Sequence, residues 1–300
     1  MVYDKDGNPL VSPSGGESKY ILVGTVLDAN SDSDRFVAMK ELLDIGKKKM
    51  TDPEAVISDS EFTHATKGAV CVLPVGHSSM YEKYPFVPLY SKNADTQAVP
   101  ASVTKVMSLI TGMDYLSTVK DVITITSTDP EGGSGAYFSA GDTMTIEELM
   151  LAMMLPSSNT AAKAFARVCG EKMLKSVADG TYTDAQCRTE FISQMNKKAA
   201  YIGMSDSYFD SPSGASGNIH TTANDLIRLV VEATSYPQIC KVWNKKSYTI
   251  AVGGTNPRNV QLTSTVQNTA IENSYYIFGG KTGSLTSPRS AALVMVAEPK

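Results

Sequence analysis

The chain is short of the residues that mark several large protein classes. It has one tryptophan, three histidines and four cysteines in 300 residues. Cys71, Cys169, Cys187 and Cys240 form no C-x-x-C pair, which argues against a zinc finger or a thioredoxin-type motif; buried free thiols are expected instead. His64, His77 and His220 form no H-E-x-x-H and no obvious ligand set, so no metal site is expected and no cofactor is called for. A G-x-S-x-G elbow is missing, which removes the α/β-hydrolase triad. The apolar run Leu149–Leu155 falls far short of the roughly 20 residues that cross a bilayer. Residues Met1–Gly7 lack the charged-then-apolar pattern of an export signal. Neither sign of charge dominates: 27 Lys and Arg stand against 31 Asp and Glu, a net charge of −4. Such a balance gives no general pull toward nucleic acid or anionic lipid.

What is present describes a globular enzyme-sized chain. Hydrophobic residues make up 42% and charged residues 19%, enough to fill the core of one large domain or two closely packed ones. Residues 1–19 are rich in turn formers and read as a loop or hairpin tip. Tyr20–Leu27 reads as a buried strand. Ser33 then opens a helix expected to stop at Gly46, with lysines 47–49 beyond it. Gly68–Val75 and Phe86–Ser91 read as strands. The middle is helical: Pro100–Leu116, a helix from the capping box Thr145-x-x-Glu148, Asn159–Leu174, Asp184–Ile202, and one capped by Thr222. Val122–Thr126 is a short strand between them. Strands return at Ser247–Val252, Tyr275–Thr282 and Ala291–Val296. Strands at both ends of a helical middle predict an α+β fold, an antiparallel sheet with a helical insertion. The expected division is 1–98 with 228–300 as the sheet part and 99–227 as the helical part, forming a single catalytic unit.

The chemistry-bearing residues fall into three groups. Ser102-Val103-Thr104-Lys105 lies at a helix start, where positions i and i+3 share a face and the amine reaches the hydroxyl. Serine needs a base to become a nucleophile, and lysine is a base only if burial or a second cation lowers its pKa. This spacing alone is weak, since Ser117-Thr118-Val119-Lys120 repeats it. The second group is Lys281-Thr282-Gly283 on a strand, suited to hold a carboxylate while the glycine admits a substrate backbone. Gly280-Lys281-Thr282 echoes a P-loop, but Tyr275 replaces its first glycine and a strand follows where a helix is required. The third is Ser157-Ser158-Asn159 in the break between two helices. Ser91-Lys92-Asn93 and Ser216-Gly217-Asn218 share its pattern, and each on its own reads as a turn. The glycine-rich Gly132-Gly133-Ser134-Gly135 is expected to edge the cleft.

In this order the three groups resemble the active site of penicillin-recognising serine enzymes, and among them the low-molecular-mass D-alanyl-D-alanine carboxypeptidases. Asn93-Ala94-Asp95 with Val99–Met107, Ala140–Thr145, Ser157–Ala162, Met195–Lys198 and Thr221–Leu226 extend the likeness over most of the chain. The resemblance implies a β-lactamase/transpeptidase-like fold. It implies a serine hydrolase that removes the terminal D-alanine from peptidoglycan stem peptides ending in D-Ala-D-Ala, and that β-lactams acylate. Ser102 would be the nucleophile and Lys105 its base. Ser157 would relay a proton, Asn159 would orient Lys105 or the substrate amide, and Lys281 would hold the carboxylate and help keep Lys105 neutral. Thr282, Gly283 and Ser284 would line the substrate. Such enzymes work outside the cytoplasmic membrane, so an extracytoplasmic location is expected. A class A-like β-lactamase and a non-catalytic muropeptide or β-lactam sensor remain the alternatives.

One departure from the family is the ending. After K-T-G one further strand is present, where the family has two and a closing helix. Tyr20–Ala29 and Ser33–Gly46 resemble that missing strand and helix, which suggests a circular permutation. Strand 20–27 is then expected to pair with 291–296, and the two termini to lie close together.

Overall fold

The computed structural model describes residues 20–73, 88–286 and 289–300. The turn-rich segment 1–19, the strand end beyond Leu73, the start of the expected strand at Phe86, and with them the nearness of the first residue to the last, lie outside the described residues.

A five-stranded antiparallel sheet forms the frame. Its strands are β1 (Ile21–Ala29), β2 (Ala65–Leu73), β3 (Tyr90–Lys92), β8 (Tyr275–Thr286) and β9 (Arg289–Pro299). They run in the order β3-β2-β1-β9-β8. β1 sits between β2 and β9, with Leu22 opposite Val72 on one side and Ala297 on the other. The expected pairing of strand 20–27 with 291–296 is therefore observed, Val23 facing Val296 and Val26 facing Leu293.

The alternation of side chains along β1 explains its unbroken apolar sequence. Leu22 and Val26 face α1 (Asp34–Thr51) together with Leu293 and Met295 of β9, meeting Met39, Leu42 and Leu43. Ile21, Val23 and Leu27 face the opposite way, into the large core shared with the helices. Both faces are covered, so neither set can be polar. The helix α1 does not stop at Gly46 but continues to Thr51. Gly46 lies where a Cβ would come within 3.0 Å of Val70 and 3.2 Å of Leu22. It is a packing glycine in the helix body rather than a stop.

The helical part holds α2 (Thr104–Met113), α3 (Ile146–Met154), α4 (Asn159–Lys175), α5 (Asp184–Tyr201) and α6 (Ala223–Ala233). The capping box at Thr145 and Glu148 and the Thr222 cap form as expected. α2 is buried along nearly its whole length, and Phe165 of α4 stacks edge-on against Phe191 of α5 at 6.1 Å. A second antiparallel sheet, unforeseen in the sequence, joins β4 (Val122–Thr124) and β5 (Asp142–Thr145) to β6 (Ser247–Gly254) and β7 (Arg258–Thr263). β5 was missed because it is four residues long and three of them are polar. All four cysteines are buried free thiols, as expected.

Candidate active site

The site is built where α2, the α3–α4 break and β8 converge. Ser102 lies in a 3₁₀ turn, Ala101–Val103, that leads directly into α2. Lys105 follows in the first helical turn, and its Nζ lies 2.8 Å from Ser102 Oγ. The same amine contacts Asn159 Oδ1 at 2.9 Å and the carbonyl of Ser213 at 2.8 Å. Three acceptors fix it in place. Lys105 is fully buried, and that burial lowers its pKa to about 7 against the opposing pull of the Glu131 carboxylate.

Ser157 and Asn159 come from the break between α3 and α4. Ser158 caps α4 by accepting from the Ala161 amide and donates to the Ala136 carbonyl. Ser157, just before it, adopts a left-handed conformation at φ 69°, a strained geometry for a non-glycine residue that its hydrogen bonds must hold. Its Oγ accepts from Lys281 Nζ at 2.8 Å. Asn159 Nδ2 donates to the Gly132 carbonyl at 2.8 Å, tying the glycine-rich loop to Lys105 through one amide. That loop is anchored upstream by the buried Asp129, which pairs with Arg167 at 2.8 Å.

Lys281 projects from β8 and is also fully buried. Burial pushes its pKa well down, and the charges of Lys105 and Arg35 push the same way. Burial is the largest cause at both lysines, and the repulsion between the two buried amines acts in the same direction. Thr282 Oγ1 meets Thr265 Oγ1 at 2.6 Å. Gly283 sits so close to the turn carrying Ser102 that a Cβ there would lie 2.2 Å from the Pro100 carbonyl and 3.2 Å from the Ser102 amide.

Lys105 bonded to Ser102 and Asn159, and Lys281 bonded to Ser157, thus lie beside a cleft of about 580 Å³. Ser102, Asn159, Ser284 and the loop Gly132–Ser134 line it, as expected for the loop, while Lys105 and Lys281 lie buried. The look-alike motifs lie elsewhere. Asn93 donates to the Thr66 carbonyl, and Ser216 and Asn218 donate to Asp210. Sequence reasoning missed Arg35, whose Nη1 donates to the Gly283 carbonyl at 3.0 Å and to Ser284 Oγ at 2.7 Å. It also missed Asp32, which lines the cleft. Both lie about 250 positions before β8, and no local pattern connects them.

Residues 87–300 match the family described as D-alanyl-D-alanine carboxypeptidase. The chain is 28% identical over 189 residues to the D-alanyl-D-alanine carboxypeptidase DacF of Bacillus subtilis, covering 61% of this chain and 42% of that protein. It is 27% identical over 194 residues to a D-alanyl-D-alanine endopeptidase of Pseudomonas aeruginosa, covering 59% and 58% respectively. The chain therefore spans about half the length of these relatives. The DD-transpeptidase of Streptomyces K15 shares the fold with a TM-score of 0.58 at 24% identity, over 71% of this chain and 86% of that one.

Proposed function

Because the chain belongs to the D-alanyl-D-alanine carboxypeptidase family, we propose that it is a serine-type D-Ala-D-Ala carboxypeptidase working through an acyl-enzyme. The observation that carries this reading is the buried amine of Lys105 at 2.8 Å from Ser102 Oγ. An amine with its pKa lowered to about 7 is substantially neutral near physiological pH and so acts as a general base.

In the proposed reaction Ser102 Oγ attacks the carbonyl carbon of the penultimate D-alanine and Lys105 takes its proton. The developing oxyanion is held by the amides of Ser102 and Ser284, an arrangement worth on the order of a hundredfold in rate per donor. The proton reaches the leaving amine through Ser157, and D-alanine departs. Water then attacks the ester carbonyl while Lys105 takes its proton and passes it to the departing Ser102 Oγ, which restores the hydroxyl and the neutral amine. Lys281 and Thr282 hold the terminal carboxylate. An incoming anion favours the charged form of the Lys281 amine, offsetting the depression that burial imposes in the free site. Asn159 fixes Lys105 against the loop at Gly132.

The same geometry supports acylation by β-lactams, since the strained amide presents an acyl carbon to the same hydroxyl. Membership of the family supports an extracytoplasmic site of action, where stem peptides are found. A β-lactamase reading finds less support, because Glu171 and Glu190 lie on α4 and α5, where Glu171 pairs with Lys175 and Glu190 bonds Gln194.

Mass spectrometry after incubation with benzylpenicillin tests the assignment. One adduct mapped to Ser102 is expected, and Ser102→Ala should lose both the adduct and D-alanine release. Labelling that persists in the variant would exclude Ser102 as nucleophile, and rapid turnover of the drug would favour a β-lactamase.

A further inference from the structure

Asp32, in the bend just before α1, lines the same cleft as Ser102 and Ser284. Its Oδ1 accepts from Ser284 Oγ at 2.8 Å and from Arg35 Nη1 at 3.2 Å. The Arg35 side chain is 10% exposed and that of Asp32 is 64% exposed. One of these groups is buried in the wall of the cleft and the other is largely open to solvent.

The hydrogen inventory decides what this contact means. A serine hydroxyl has one hydrogen to donate. Ser284 Oγ accepts from Arg35 and donates its hydrogen to Asp32. While Asp32 holds that hydrogen, Ser284 has none for a ligand. Arg35 Nη1 is likewise directed at the Gly283 carbonyl, Ser284 and Asp32. Its Nε is buried with no hydrogen-bond partner among the described residues. A ligand carboxylate approaching this end of β8 meets the Ser284 hydroxyl and Arg35 Nη1 already engaged by a carboxylate of the protein, and it meets that carboxylate's charge as well.

We propose that Asp32 is a specificity-determining residue, an internal competitor that occupies the Ser284 hydroxyl and Arg35 Nη1 in the free enzyme and is displaced when the carboxylate of an acyl donor, held by Lys281 and Thr282, extends to them along β8. This rests on the acyl-transfer reading of Ser102. The competition weakens recognition of carboxylate-ended donors and leaves uncharged ones unaffected.

Two serine reagents separate these cases: benzylpenicillin, which carries one carboxylate, and phenylmethanesulfonyl fluoride, which carries none. In Asp32→Ala the second-order rate of acylation by benzylpenicillin is expected to rise roughly three- to tenfold, the size suited to a solvent-screened charge. The sulfonyl fluoride rate should stay unchanged. Asp32→Asn, which removes the charge but keeps an acceptor for Ser284, should show a smaller rise. A fall or no change with benzylpenicillin would overturn the proposal and make Asp32 a group that orients Arg35. An equal change with both reagents would also overturn it, as an effect on the wall of the cleft. If neither reagent modifies the wild-type serine, the acyl-transfer reading fails. Calorimetric binding of acetyl-D-alanyl-D-alanine to the unmodified chain then still decides the role of Asp32, with tighter binding expected in Asp32→Ala and unchanged binding overturning it.

Discussion

At the scale of single residues, the chemistry turns on how a lysine is kept short of a proton. Lys105 has three acceptors within 2.9 Å, and hydrogen bonds of that kind favour the charged form. Burial outweighs them and brings the pKa to about 7. The sign of the consequence is fixed: the neutral, basic form grows as pH rises through that value. The rate of Ser102 acylation by benzylpenicillin is expected to drop about tenfold per unit below pH 7 and to level off above it. A profile flat across neutrality would show that another group takes the proton. The S-x-x-K, S-x-N and K-T-G spacings were legible because each is a local pattern on one turn or strand. How completely Lys105 is buried was not, because its surroundings include Asn159 and Ser213, far away in the chain.

At the scale of elements, two close approaches set the geometry. The 3₁₀ turn carrying Ser102 is pressed against β8, and Gly283 is the point of contact. A methyl group at 283 meets backbone rather than a movable side chain, so the strand itself must shift. Gly283→Ala is expected to cost about 1–3 kcal/mol of stability and to reduce the rate of acylation by at least tenfold. A displacement near 1 Å at a reacting centre has effects of that order. Thermal unfolding beside acylation kinetics checks both. A variant with full acylation rate would show that β8 does not need this separation. Helices with caps or strong apolar periodicity were read correctly, α3 from its capping box and α6 from Thr222. α1 ran past its expected end because Gly46 serves packing against Leu22 and Val70. Only the neighbouring strands reveal that use of a glycine.

At the scale of the whole molecule, β1 closes the sheet and α1 delivers Asp32 and Arg35 to the cleft. The register of Leu22 opposite Ala297 leaves Tyr20 beside the last residues of β9. We read this arrangement as a permuted order of the family's sheet. Joining Lys300 to Tyr20 through a short glycine-serine linker, and opening the chain between Asp52 and His64, is then expected to preserve both a cooperative thermal transition and labelling of Ser102. Loss of folding in the rejoined chain would argue that the order found here is a requirement of the fold.

The sequence by itself determined the fold class, the strands flanking a helical middle, and the serine, lysine and K-T-G groups, because periodicity and motif spacing are properties of neighbouring residues. Tertiary structure alone decided that β1 also pairs with β2 and that a second sheet bridges 122–145 and 247–263. It alone brought Arg35 and Asp32 onto Ser284. Contacts between residues some 250 positions apart depend on how whole strands pair and on which groups water can reach, and neither is written in any local stretch of chain.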